Sequence, residues 1–262
     1  MQLFVATNLT DLHREASFLS EMLTQVLYGM SCELLEEQGK WCRVRMEDGY
    51  EGWAHRPFLT DQVPQTPTHL VTVQQAPIYA EPAPAEHVSS RLLCGTHVSV
   101  DDERNEFLHV RPAGTMLPMG WVPKLAMRPI GSVSRLEIRS RIVADARLLT
   151  GVYYLWGGNT PWGTDCSGLA WLTHRLSGIK IPRDSHPQFH AASPVDLPYQ
   201  PGDLFFFRKD DDPNRIGHVG ISVGGWRMIH SSRSRNGVYE EDVQQNENLK
   251  RTFAGAGSFI PR

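Results

Sequence analysis

Hydrophobic positions change their rhythm part-way along the chain. In the first half they alternate in short runs with turn residues between them, the period of half-buried strands. Two proline-rich stretches, Val63-Pro64-Gln65-Thr66-Pro67 and Met127-Arg128-Pro129-Ile130-Gly131, punctuate this region. Beyond the second stretch the spacing becomes helical. Ser134-x-x-Glu137 reads as a capping box, and Ile138, Ile142, Ala146 and Leu149 follow on one face until Gly151 stops the run. Leu136 and Val143 lie one heptad apart on another side, which predicts burial on more than one face. A second helix is expected from Cys166 to Leu176, ended by Gly178. Strands then follow, from Asp203 to Phe207, His218 to Ser222 and Trp226 to Ser231. A helix-led half followed by an antiparallel sheet is an α+β arrangement.

The alternating half repeats itself. Leu27-Tyr28-Gly29, Trp41, Val44 and Gly52-Trp53 return as Leu93-Cys94-Gly95, Phe107, Val110 and Gly120-Trp121. The offset is 66 residues from Leu27 to Leu93, from Trp41 to Phe107 and from Val44 to Val110, and 68 from Gly52 to Gly120. One loop of the second copy is therefore longer. A repeat of this length, made of short strands, predicts a small β-barrel used twice. The order of a Leu-x-Gly turn, a central aromatic and a closing Gly-Trp resembles bacterial SH3-like domains. The expected boundaries are 1–64 and 65–128 for the two barrels and 129–262 for the α+β domain.

Composition narrows the function classes. The 262 residues are 40% hydrophobic and 21% charged, ordinary for a soluble protein with a real core. A formal net charge of -3 supplies no basic field for nucleic acid or anionic lipid. No stretch approaches the roughly 18 apolar residues of a membrane span. At the N-terminus, Asp11, Arg14 and Glu15 come too soon for a signal-peptide apolar region. The expectation is a cytoplasmic protein, or an extracytoplasmic one if a leader was removed. Cys32, Cys42, Cys94 and Cys166 lie far apart with no Cys-x-x-Cys pair, so neither a zinc site nor a disulfide scaffold is expected.

One cysteine stands out. In Thr164-Asp165-Cys166-Ser167-Gly168, capping residues precede a helical run, which puts Cys166 in the first turn. There the helix dipole and free amides favour a thiolate, so a lowered pKa is expected. Cys32, Cys42 and Cys94 lie in strand-like segments and read as buried core thiols. A thiolate needs a base. Among the 11 histidines, His13, His55 and His109 read as surface or barrel residues, whereas His218 and His230 lie in apolar strands flanking Gly224-Gly225. A three-residue turn at Val223-Gly224-Gly225 would set the two histidines opposite each other on one face, and a two-residue turn on opposite faces. The first register gives Cys166 as nucleophile, His218 as base and His230 as the residue fixing its tautomer.

These residues resemble a known family. Tyr154-Leu155-Trp156-Gly157-Gly158, Asp165-Cys166-Ser167-Gly168, Pro201-Gly202-Asp203-Leu204, Gly217-His218-Val219-Gly220-Ile221 and His230 together resemble the NlpC-type papain-like cell-wall cysteine peptidases. The preceding SH3-like pair resembles one branch, the γ-D-glutamyl-L-diamino-acid endopeptidases. The resemblance implies a peptidase that cuts murein tripeptides or tetrapeptides between γ-D-Glu and the diamino acid, with a free N-terminal L-Ala, in cell-wall peptide recycling. It implies no cofactor and no metal, and a monomer is expected. Tyr154 would help hold the tetrahedral intermediate, and Asp165, Ser167, Arg183, Asp184 and Ser185 would line the groove. Glu15 and Tyr50 of the first SH3-like domain would meet the substrate amine, with Asp184 opposite. The second copy carries no equivalent polar set and is expected to be scaffold. His186-Pro187 departs from the small polar residue that often follows the Arg-Asp-Ser run. The competing readings are a secreted peptidoglycan hydrolase with wall-binding SH3-like domains, an inert binding module, and a lipid acyltransferase.

Overall fold

The computed structural model describes the chain except residues 84–86, 112–117, 132, 135 and 261–262. It divides into two compact units, Met1–Ser132 and Val133–Arg262.

In the first unit, residues 2–60 form one seven-stranded sheet. Its order is Met22–Leu27, Leu9–His13, Glu51–His55, Trp41–Met46, Ser31–Gln38, Gln2–Val5 and Leu59–Thr60. Alternation decides which side chains go inward. In Trp41–Met46, Cys42, Val44 and Met46 enter the core while Arg43 and Arg45 stay outside and pair with Glu51. Residues 69–129 form three smaller sheets around a second core that includes Val71, Ile78, Leu92, Val110 and Val122, and that also receives Tyr28. The sequence repeat is a structural one. Gly29 and Gly95 both have positive φ, 75° and 85°, and each donates its amide to a carbonyl 3.0 Å away, Val5 and Val71 respectively. Gly52 and Gly120 are both pinned by close neighbours: a Cβ on Gly52 would fall 2.8 Å from that of Leu12, and one on Gly120 would collide with the Tyr79 carbonyl. The longer loop of the second copy, between Val110 and Gly120, lies mostly outside the described residues.

The second unit leads with helices α1 (Ile138–Leu148), α2 (Cys166–Leu176) and α3 (Ser185–Ala191). A six-stranded antiparallel sheet follows, in the order Ser193–Val195, Phe253–Ser258, Leu204–Arg208, Ile216–Gly224, Arg227–Ser232 and Gly237–Asp242, with α4 (Glu247–Thr252) before the last strand in sequence. Phe205, Phe206 and Phe207 are all essentially inaccessible, because the central strand is covered on both faces. Helix α1 buries Ile138, Ile142, Val143 and Ala146. Leu136 differs from expectation: it precedes the helix and is 96% exposed, so it extends no second buried face. The Ser134–Glu137 pair closes the turn before α1, with the Glu137 carboxylate accepting from the Ser134 hydroxyl at 2.6 Å, and the helix itself begins at Ile138. Among the described residues no helix is long and apolar enough to cross a membrane.

Candidate active site

Helix α2 is the element on which the site is built. Ten of its eleven residues are buried, and its first is Cys166. Asp165 caps it, one carboxylate oxygen accepting from the Gly168 amide at 2.7 Å and the other from the Gly157 amide at 2.9 Å. The same carboxylate takes both terminal nitrogens of Arg183, at 3.1 and 2.9 Å, and Arg183 also donates to Ser167 Oγ and the Gly158 carbonyl. Asp165, Ser167 and Arg183 are therefore buried and turned onto one another, locking the Gly157-Gly158 loop to the head of the helix. Only glycine fits at position 168, where any Cβ would strike the Gly158 carbonyl.

Cys166 is 9% exposed, and its thiol lies against the backbone amide of Val219, the residue after His218. Its proton affinity runs against the expectation from its helix position. Burial pushes the Cys166 thiol up to about 12, and the adjacent Asp165 carboxylate adds to the rise. The amides of Val219 and Ser167 and the Arg183 guanidinium pull the other way without prevailing. The cap that orders the helix thus also opposes the thiolate.

The two histidines share a face of the sheet, but the route differs from either turn considered. Ile221 pairs with Ile229 and Ser222 with Met228, then the register shifts so that Gly224 pairs with Arg227. The turn is the short one, Gly225-Trp226, and a bulge at Val223 restores the parity that a two-residue turn alone would break. His230 falls level with Gly220 rather than with His218. Because Gly220 has no side chain, the His218 ring reaches diagonally across, and its Nε2 lies 2.7 Å from His230 Nδ1. A Cβ on Gly220 would collide with the Met228 sulfur and stand 3.4 Å from His230 Cβ. Burial pushes His218 down to about 3, helped by His230 and opposed by Glu241, so the ring is a neutral imidazole.

Sequence reasoning missed Glu241. Its Oε2 lies 3.2 Å from His230 Nε2, on the strand Gly237–Asp242. In the sequence it sits in Tyr239-Glu240-Glu241-Asp242, which reads as a solvated acidic run. The signal was alternation: Tyr239 and Glu241, two apart, fall on one face, where Tyr239 packs its ring 4.5 Å from that of His230. A cavity of about 370 Å³ borders His218, His230, Glu241, Ser232, Ser234 and Asn246.

The remaining expected residues are spread over both units. Tyr154 bridges to Thr164, two residues before the nucleophile, and burial pushes its phenol up to about 12, with Cys166 and Asp165 adding to the rise. It therefore keeps its O–H. Arg233 lies over the Tyr154 and Trp156 rings, 5.4 and 5.5 Å from their centroids. Asp184 and Ser185 stand at the start of α3, Asp184 exposed and 3.8 Å from Arg183. His186, where the motif departs from its usual form, accepts the Ile216 amide on its Nδ1 at 3.2 Å, tying α3 to the His218 strand. In the first unit, Glu15 is exposed just past the strand Leu9–His13, and Tyr50 precedes the strand Glu51–His55. His13 pairs with Trp53, so Glu15 and Tyr50 occupy the same end of that sheet. Among the described residues no group of three or more His, Cys, Asp or Glu side chains could hold a metal ion.

A helix-headed cysteine packed on an antiparallel sheet that carries a histidine pair defines a papain-like thiol peptidase. Residues 151–256 match the NlpC/P60 family, and residues 12–56 match the bacterial dipeptidyl-peptidase Sh3 domain. The C-terminal unit is thus an NlpC/P60 cysteine peptidase domain, preceded by an SH3 domain of the dipeptidyl-peptidase type. The chain is 29% identical over 263 residues to a gamma-D-glutamyl-L-lysine dipeptidyl-peptidase of Bacillus cereus, covering 92% of this chain and 76% of that one. It is 26% identical to dipeptidyl-peptidase 6 of Lysinibacillus sphaericus, covering 96% and 95% of the two chains. The crystal structure of an NlpC/P60 family protein from Bacillus cereus superposes with a TM-score of 0.85 at 23% identity, each chain covered completely, a likeness of fold.

Proposed function

We propose that the protein hydrolyses the γ-D-glutamyl–diamino-acid bond of murein peptides whose N-terminal L-Ala is free, releasing L-Ala-D-Glu and the diamino acid from recovered wall fragments. The observation that carries this reading is the Cys166 thiol against the Val219 amide, beside a His218–His230 pair joined at 2.7 Å. Two of the relatives bear the name of dipeptidyl-peptidases acting on such a bond, which supports the choice of substrate.

In this mechanism the thiol and imidazole start neutral. As Cys166 Sγ attacks the γ-carbonyl carbon of D-Glu, its proton passes to Nδ1 of His218, the nitrogen not engaged with His230. The oxyanion that forms is met by the Tyr154 hydroxyl and the Cys166 amide, the latter in the first helical turn where backbone donors lack intrahelical acceptors. His218 then gives the proton to the leaving amine of the diamino acid, and a thioester remains. Water, deprotonated by the same ring, attacks the thioester carbon. The dipeptide leaves as a carboxylate and Cys166 regains its proton. Asp165, Arg183 and Ser167 act by holding the head of α2 in place, and Asp184 and Ser185 at the start of α3 contact the peptide.

Glu15 and Tyr50 are assigned to recognition of the L-Ala ammonium. A desolvated ammonium needs anionic and hydroxyl partners, so such a set accepts a free amine and rejects an acylated one. The test compares free and N-acetylated L-Ala-γ-D-Glu-L-Lys and the meso-diaminopimelate analogue on wild type and Glu15→Ala. Wild type should cleave only the free peptides, and Glu15→Ala should lose about a hundredfold in kcat/KM, the loss expected when one side of a ~3 kcal/mol charged contact is removed. Equal rates on free and acetylated peptide would overturn the amine requirement and favour a hydrolase acting on intact wall polymer.

A further inference from the structure

The chain of groups behind the thiol does not end at His230. Its Nδ1 is engaged with His218 Nε2 at 2.7 Å, and its Nε2 faces the Glu241 carboxylate at 3.2 Å. His230 is 2% exposed, and the Tyr239 ring packs 4.5 Å from its own. Glu241 is itself held in place. Asn246 Nδ2 donates to its Oε1 at 3.1 Å, and the Arg235 guanidinium lies 3.8 Å from the same oxygen. The His230 ring keeps the Glu241 carboxyl below the usual carboxylate range, with Asn246 and Arg235 acting in the same sense. The cavity of about 370 Å³ beside it leaves the charge partly solvated.

Tautomers follow from this order. An ionised carboxylate can only accept, so it selects the His230 tautomer with the proton on Nε2. Nδ1 of His230 must then accept, which requires His218 to carry its proton on Nε2. Nδ1 of His218 is left as a lone pair. We propose that Glu241 is a positioning residue of the catalytic chain: through His230 it fixes His218 in the one tautomer that can take the thiol proton, and it steadies the imidazolium that results. The inference deepens the peptidase reading and rests on Cys166 and His218 acting as nucleophile and base.

Glu241→Gln is the informative variant, because it keeps the shape and removes the charge. Asn246 will hold the new amide oxygen and turn the NH2 toward His230. That inverts both tautomers and places the His218 proton on Nδ1, where the base is needed. The expected loss in kcat is about ten- to a hundredfold, the scale found when an outer partner of a functional histidine is removed, with KM little changed. Alkylation of Cys166 by iodoacetamide needs no peptide substrate and should slow to a similar degree near neutral pH, with its pH profile displaced upward. The other groups around the pair, Tyr239 and Arg235, are unchanged in this variant. Should Glu241→Gln fold poorly, nitrogen-detected NMR of the wild-type histidines reads the tautomers directly. The proton is expected on Nε2 in both rings. Wild-type alkylation and kcat in a folded Glu241→Gln protein, or a proton on His230 Nδ1 at neutral pH, would overturn the proposal. Normal alkylation behaviour without tripeptide cleavage by wild type would instead count against the substrate assignment alone.

Discussion

Four thiols share one chain, and their surroundings separate them into two kinds. Cys32, Cys42 and Cys94 are buried in the strand-built first unit, whereas Cys166 heads a helix against the His218 strand. Alanine at 32, 42 or 94 should lower stability by about 1–2 kcal/mol through lost packing and leave kcat intact. Alanine at 166 should remove hydrolysis and leave the thermal midpoint nearly unchanged. Thermal melts and rates measured on all four variants check both halves of this statement. That Cys166 differs was legible in the sequence, because capping residues followed by a helical run are local signals. Its proton affinity was not. The expected dipole effect is real but small beside the desolvation of a thiol that lies 9% exposed, and burial depends on what packs over the helix from distant parts of the chain. Glu241 was hidden for a related reason. An acidic run reads as solvated until the neighbouring strand places a histidine against one of its members.

At the scale of elements, α2 is fixed at its head by one carboxylate doing several jobs. Asp165 caps the helix through the Gly168 amide, anchors the Gly157 amide, and neutralises a buried Arg183. Asp165→Ala would leave that buried guanidinium with only the exposed Asp184 carboxylate 3.8 Å away as a counter-charge, with an expected loss of ~3 kcal/mol. Asp165→Asn should lose less, since the cap can survive while the charge does not. Chemical denaturation of both variants measures this, and the activity of the folded fraction should fall with loosening of the Gly157-Gly158 loop. The limits of α2 were readable because Asp165 and Gly178 mark its two ends. The histidine hairpin was only half readable. Gly224-Gly225 announced a turn, yet the bulge at Val223 that keeps both rings on one face follows from strand twist and from the packing of Gly220 against Met228 and His230. The strands Gly237–Asp242 and Phe253–Ser258 lack a clean apolar alternation, the latter because glycine stands at 255, where φ is 144°, and at 257, where a Cβ would fall 2.7 Å from that of Ala192.

At the scale of the whole molecule, two neutral histidines, the buried His174 and the half-buried His218, make stability depend on pH. Burial pushes His174 down to about 4 and His218 to about 3. In the unfolded chain both take up protons below the ordinary histidine value of about 6.5. The unfolded state therefore binds more protons between those limits, so the stability present above pH ~6.5 is lost as pH falls toward 4 and then 3, at no more than ~1.4 kcal/mol per pH unit for each ring. Thermal midpoints taken from neutral to acid pH should fall along this course, and His174→Leu should flatten part of it. The change from a strand-built first unit to a helix-led second one was legible because the hydrophobic period changes from two to nearly four beyond Gly131. The central claim, that Cys166 cuts the γ-D-glutamyl–diamino-acid bond, is tested by incubating free L-Ala-γ-D-Glu-L-Lys and its meso-diaminopimelate analogue with wild type and Cys166→Ala and weighing the products. Wild type should release L-Ala-D-Glu and the free diamino acid from at least one peptide, and Cys166→Ala should release neither. Both peptides intact after exposure to active-thiol wild type, or the same products from Cys166→Ala, would contradict the account.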